Sequence, residues 1–437
     1  MLAFVRRTGM ALAFTLGTIG GAAAIEIEEV TSAGGITAWL VSDNTVPIVT
    51  LNAAFRGAGA TQDPDGKAGR ANLLSTVLDE GAGDLDSVAF QTALEESAVR
   101  LSFDSTRDHF YANLSVITPS IEDGFGYLRM ALTEPRFDEE AVERMRAQIV
   151  TGLRREQSDP DTVVAQLWSR TAFPDHPYGV PSNGTVDSVA ALTRDDLVDA
   201  HAKGLARDNL VVAVVGDITA EALGPLLDTA FGDLPETAEL TAVSKVAPAA
   251  GLTVTDTLDT PQTSIRFGAL GLPRRDPDFV PAFVMNHILG GGSFSSWLFE
   301  EVREKRGLAY SVYSYLAPFT HTSVFGGGTA TRNDQAKEAL EVILAQFEKM
   351  VNEGPSAEEL ADAKAYLTGS YALRFSSSGS IARQLLFIQI EDLGIDYVNR
   401  RNDLINAVTL EDVRRAARRI FGDGAPTVAI VGAAADG

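Results

Sequence analysis

Two segments 216 residues apart carry one pattern, and this repeat constrains the fold more than any other feature of the chain. Val189-Ala-Ala-Leu-Thr193-Arg-Asp-Asp196-Leu197 precedes the run from Asp208 to Gly216, and Ile405-Asn-Ala-Val-Thr409-Leu-Glu-Asp412-Val413 precedes the run from Pro426 to Gly432. Each reads as a helix with Thr at its N-cap and an acid three residues on, feeding a β-branched strand that stops at glycine. Two further pairs keep nearly the same offset. Phe137–Arg146 matches Pro355–Lys364 as the start of an amphipathic helix, and Val49–Gly57 matches Thr263–Gly271 as a strand with alternating faces. So long a period implies two similar domains rather than a solenoid.

Each half runs strands, helices, strands, long helices, strand. That order predicts an α+β fold, with helices packed on one face of a largely antiparallel sheet in each domain. Residues 237–251, ending in Ala247-Pro-Ala-Ala-Gly251, are small and poor in aromatics and read as a linker between domains at 25–236 and 252–437. Residues 1–24 carry Arg6 and Arg7, an apolar run from Met10 to Ile19, and Ala22-Ala-Ala24, the three-part pattern of a cleavable secretory signal. The expected compartment is the periplasm. That run is too short for a bilayer and no other takes its place, so no membrane span is expected. The absence of Cys is consistent with export and supplies no disulfide.

The formal charge is −23, and loss of Arg6 and Arg7 with the leader would move it to −25. An acidic surface argues against nucleic acid or anionic lipid as partner; it serves solubility, and it could also steer basic peptides. Among ordinary hydrolase patterns, no Gly-x-Ser-x-Gly elbow occurs, and without Cys there is no thiolate nucleophile.

The segment Gly290-Gly-Gly-Ser-Phe-Ser-Ser-Trp-Leu-Phe-Glu-Glu-Val-Arg303-Glu-Lys-Arg-Gly307-Leu-Ala-Tyr310 resembles the C-terminal-domain signature of the insulinase/pitrilysin family of zinc peptidases. In that family an Arg and a Tyr at this spacing reach the active site; here they are Arg303 and Tyr310. Leu298–Lys305 reads as helix, Gly307 is placed to stop it, and Leu308-Ala-Tyr310 begins a strand. A Tyr hydroxyl suits the oxyanion of peptide hydrolysis, and an Arg fork suits carbonyls or carboxylates of substrate. Gly290, Gly291 and Gly292 would let backbone approach a neighbour closely, and with Ser293 they complete the expected substrate-binding set.

The family's other half is a helical His-x-x-Glu-His that holds zinc and a catalytic base. In the matching register this chain has Asn72, Ser75 and Thr76. All three are poor ligands, and no carboxylate remains to deprotonate a water. The family's third ligand, a Glu, falls near Val150–Gly152, where no acid stands; the nearest are Glu143 and Glu156. The five histidines, His109, His176, His201, His287 and His321, include no pair spaced to share a helical face. His176 lies in Pro174-Asp-His-Pro-Tyr-Gly179 and reads as loop packing.

No metal is therefore expected on this chain. The resemblance implies a non-catalytic subunit, inactive alone, that lends Arg303 and Tyr310 to a homologous partner carrying the zinc, with peptides as substrates. It also implies that Pro47–Phe55 is a peptide-accepting sheet edge. The alternative is a peptide-binding or scaffold protein of the same fold without enzymatic role.

Overall fold

The computed structural model describes residues 25–422 and 424–433. The leader expectation for residues 1–24 lies outside them. In the first half, strands β1 (Glu28–Thr31), β2 (Thr37–Ser42), β3 (Ile48–Arg56), β6 (Val99–Ser105), β7 (His109–Ile117) and β8 (Leu210–Gly216) form a sheet of order β1-β2-β8-β3-β7-β6. The short β4 (Gly81–Ala82) and β5 (Leu85–Asp86) pair only with each other. In the second half, β9 (Thr253–Thr257), β10 (Gln262–Leu270), β11 (Ala309–Pro318), β12 (Ser323–Arg332) and β13 (Thr427–Gly432) form a sheet of order β11-β12-β10-β13-β9. Read from β6 and from β11, the two orders are the same, with β1 added at the far end of the first. Every ladder is antiparallel except β2 with β8 and its counterpart β9 with β13.

The repeated sequence features explain the repeated geometry. Thr193 and Thr409 each accept a backbone N–H from the Asp three residues on, and each Asp reaches back to the cap N–H. These boxes start the helices Arg194–Gly204 and Leu410–Phe421. The long helices Glu139–Glu156 and Ala357–Gly369 have first turns rich in Glu that complement the helix dipole. Between Phe231 and Thr253 the chain makes no helix or strand, and it is held to both halves. Thr241 bonds Gln62, Val246 donates to the His321 carbonyl, and Ala249 donates to the Ala172 carbonyl.

Period-two alternation sends Val49, Leu51, Ala53 and Phe55 of β3 into the core beneath their own helices, and Ile265 and Phe267 do the same on β10. All of these but Ala53 are large enough to contribute about 1.5–3 kcal/mol each when fully buried. The opposite faces are covered by exchange. Helix Pro160–Ala172 of the first half lies on β10 and β13 of the second, and helix Ser378–Ile390 of the second lies on β3 and β8 of the first. Trp168 donates to the Thr427 carbonyl at 3.0 Å, Ser264 to Asp161 at 2.7 Å, and Gln389 to the Val212 carbonyl at 2.9 Å. A Cβ on Gly268 would stand 2.3 Å from the Trp168 ring, so the bare glycine is what lets the indole lie on the sheet.

Pro47–Phe55 is not an edge. Strand β3 is bonded along its length to β7 on one side and β8 on the other, because it is the central strand about which the half is built. The open edges are β6 and β1 in the first sheet, and β11 and β9 in the second.

Candidate functional site

Arg303 and Tyr310 come together at the start of β11. Helix Phe279–Asn286 runs into a wide turn at His287–Gly291, where Gly292 N–H bonds the His287 carbonyl at 2.8 Å, five residues back. A second wide segment, Phe299–Glu304, closes likewise from Lys305 to Glu300 at 3.0 Å. Such π-type turns replace the expected regular helix over Leu298–Lys305; each accommodates one extra residue and turns the chain beyond it to a new direction. Gly307, at φ +61°, ends the segment as its sequence position suggested.

The Arg303 guanidinium lies 4.6 Å from the centre of the Tyr310 ring and 4.7 Å from that of Phe299, with Phe294 at 5.9 Å. Its only carboxylate neighbour among the described residues is Glu304, at 3.6 Å. Tyr310 is 81% exposed and Phe294 75%. An Arg held against aromatic faces keeps its fork ordered while it stays available to an incoming acceptor.

Gly290 packs inward. A Cβ there would meet Ser314 Oγ at 2.4 Å and Leu298 Cδ1 at 2.8 Å. The close neighbour is therefore this chain's own β11, bound beneath it by the buried pair Asn286–Ser314 at 2.8 Å. Gly291 and Ser293 are exposed, and Ser293 adopts a left-handed φ of 50°.

The second locus lies on the helix Arg70–Val77. Asp63 accepts from Gly69, Arg70 and Ala71 N–H at 2.9, 3.1 and 3.0 Å and so anchors its first turn. Burial pushes the Asp63 carboxyl up to about 6, against the opposing pull of those amides and of Arg70. Ser75 donates to the Asn72 carbonyl at 2.8 Å and Thr76 to the Leu73 carbonyl at 2.9 Å, so both hydroxyls are turned back onto their own helix. Asn72 borders a pocket of about 650 Å³ with Thr151, Gly152 and Glu156. The helix and the segment where the resemblance put a third ligand are thus adjacent, and the residues they present do not fit zinc. Among the described residues no group of three or more His, Asp or Glu is placed to hold a metal.

His176 is a loop residue, its Nδ1 accepting from Tyr178 N–H at 3.1 Å and its Nε2 meeting the Ser244 carbonyl at 2.9 Å. Tyr178 below it donates to buried Asp108 at 2.8 Å and accepts from His321 N–H at 3.0 Å, while Asp108 also accepts from Thr320 N–H at 3.0 Å. Burial chiefly, and then the Asp108 charge, raises the Tyr178 phenol well above its ordinary value. This network joins the loop to the second half.

Sequence reasoning missed a cleft of about 1650 Å³ between the halves. One side is the outward face of β6 and β7; the other is the helix Ser378–Ile390 with the turns before and after it. Neither Arg303, Tyr310 nor Asn72 lines it. Its polar residues alternate along strands as ordinary surface residues do, and only the strand order brings them under a helix from the other half.

Two models of one family match the chain in succession: the insulinase peptidase model (M16) over residues 40–186, and the peptidase M16 inactive domain model over 191–367. The chain belongs to the insulinase family. It is 28% identical over 341 residues to the non-peptidase homolog YmxG of Helicobacter pylori, covering 76% of this chain and 77% of that one. It is also 28% identical over 388 residues to an uncharacterized zinc protease of Streptomyces coelicolor, covering 86% and 83%. The crystal structure of a peptidase M16 inactive domain from Pseudomonas fluorescens matches with a TM-score of 0.88 at 26% identity, over 94% of this chain and 98% of that one. This insulinase-family chain is an inactive member, and no His-x-x-Glu-His occurs in it.

Proposed function

We infer that this chain is the non-catalytic, substrate-binding subunit of a heterodimeric zinc peptidase, exported to the periplasm with residues 1–24 removed. Arg303 and Tyr310 then complete the active site of a homologous partner that carries the zinc and the base. The observation that carries this reading is the exposure of Tyr310 beside the half-buried Arg303. Were its role internal packing, the phenol would be buried or bonded; instead it projects from a sheet edge, with the guanidinium stacked against it at 4.6 Å.

In this reading the Tyr310 hydroxyl donates to the oxygen that gains charge as the scissile carbonyl is attacked, and the Arg303 fork holds an upstream or downstream acceptor of the peptide. A donor so placed is worth roughly 10²–10³ in rate. In the reconstituted pair, Tyr310→Phe should therefore lower kcat by about 10²-fold. Arg303→Ala should raise KM as well, because its contact precedes the transition state. Peptide hydrolysis reads out both, with size-exclusion chromatography as the control for assembly. The chain alone should cleave nothing. Full activity of both variants in an intact complex would place every catalytic group on the partner and leave this chain a scaffold.

A further inference from the structure

The second sheet ends on a strand that nothing closes. In the first sheet the edge of β2 is covered by β1, antiparallel, in the register Glu28 with Leu40 to Thr31 with Thr37. The counterpart of β2 is β9, which among the described residues pairs with β13 alone. The repeat thus places an antiparallel strand on one half and leaves the same position bare on the other.

The single ladder of β9 fixes which of its backbone groups are left over. The Leu252 carbonyl accepts from Val428 N–H at 2.7 Å, and Leu258 N–H donates to the Gly432 carbonyl at 2.9 Å. Successive residues of a strand turn their backbone groups to opposite edges, so the even-numbered residues serve β13 while Thr253, Thr255 and Thr257 face away from it. All three are exposed. Of their outward groups, the Thr257 N–H is taken by Asp256 Oδ1 at 2.9 Å.

Edge strands commonly carry a charge, a Pro or a bulge that discourages pairing. Strand β1 has Glu28 and Glu29, and β6 has Arg100 and Asp104. Strand β9 has only Asp256, and Arg170 meets that carboxylate at 3.2 Å. In a chain of formal charge −23, this β-branched run is left without net charge.

The sequence also names the occupant, because it reads nearly alike in both directions: Leu252-Thr-Val-Thr255-Asp-Thr-Leu258. About a two-fold axis at Thr255, Leu252 lies across from Leu258 of a second copy, Thr253 from Thr257, and Thr255 from itself. Asp256, the one charged residue, lies across from Val254, so no like charges are opposed. The Thr255 pair exchanges both backbone bonds, and each Thr253 N–H reaches a Thr257 carbonyl, which leaves the Asp256 bond intact. Facing threonines add cross-strand contacts.

We propose that β9 pairs with β9 of a second copy, antiparallel and centred on Thr255, so that two second-half sheets run on as one. Strand β11 lies at the other end of that sheet, so Arg303 and Tyr310 stay open in the dimer. No zinc-bearing partner is needed, and the pairing stands or falls separately from the subunit reading above. One short strand pair buries less than the ~1,200 Å² of a standard interface, so the dimer is reversible and depends on concentration.

The test is sedimentation equilibrium of the chain alone at about 0.15 M salt, where long-range repulsion between acidic surfaces is screened. The average mass should rise with concentration from that of one chain toward that of two. Thr255→Lys sets like charges across the axis, and Thr255→Pro removes an outward N–H without touching the ladder to β13. Each should raise Kd about tenfold or more, with circular dichroism and a thermal melt verifying that the variant is folded. Because the chain has no Cys, Thr255→Cys gives a direct readout. Facing residues of a hydrogen-bonded antiparallel pair have Cα atoms about 5.5 Å apart, within disulfide reach, so oxidation should link the two copies. Val88→Cys, at an exposed position on the helix Ser87–Glu96, should not link them. A mass that stays at one chain, a dimer that survives in both folded variants, or a disulfide no faster at position 255 than at 88 would overturn the proposal.

Discussion

The bare backbone of Gly290 lets its turn lie directly on the strand that bears Tyr310. The wide turn at His287–Gly291 can settle on β11 only because nothing projects from Gly290 toward Ser314, whose Oγ would stand 2.4 Å from a Cβ. Overpacking of this kind costs about 1–3 kcal/mol. Gly290→Ala should therefore lower stability by that amount in urea denaturation, and should also impair the reconstituted peptidase by moving the strand that bears Tyr310. At this scale the sequence was informative. The Arg303 and Tyr310 spacing and the stop at Gly307 were readable as residues, as was the absence of a His-x-x-Glu-His. The aromatic stacking of Arg303 was not, because the π-type turns that set it arise from tertiary fit between two segments.

Among the elements, capping boxes and alternation announce themselves locally: Thr193 with Asp196, Thr409 with Asp412, and the buried odd positions of β3 all follow from sequence. What an amphipathic helix packs against is not local. Nothing in Pro160–Ala172 says that its apolar stripe lies on the other half's sheet, and the same is true of Ser378–Ile390. For the same reason Pro47–Phe55 reads equally well as edge or centre, since alternation reports faces and not neighbours. The exchanged helices should nonetheless be strongly held. Trp168 is buried against β10 and β13 and satisfies its indole N–H on Thr427. Trp168→Ala should cost about 3–5 kcal/mol. A matching fall in the denaturation midpoint with the slope unchanged would verify it, whereas a loss under about 1 kcal/mol would mean that the helix contributes little to closing the second sheet.

For the molecule as a whole, the exchange makes the halves mutually dependent. Residues 25–236 alone would present the outward face of β2, β3 and β8 bare, with Trp39, Val41 and Ala213 open to water, and residues 252–437 alone would expose Val324, Ala429 and Val431. Expressed singly, each should be insoluble or aggregated; co-expressed as two polypeptides, they should purify together and give the circular dichroism of the intact chain. Recovery of either half as a soluble folded monomer would contradict this.

The crossed helices also carry a statement about ancestry. A single-domain precursor with this arrangement could cover its sheet only by borrowing a helix from a twin, so it would already have been an obligate, intertwined homodimer. Duplication and end-to-end fusion would then have needed no new interface, only the bridge near residues 237–251. Once fused, the two copies were free to diverge in their surfaces, because folding depends on the crossing of the helices.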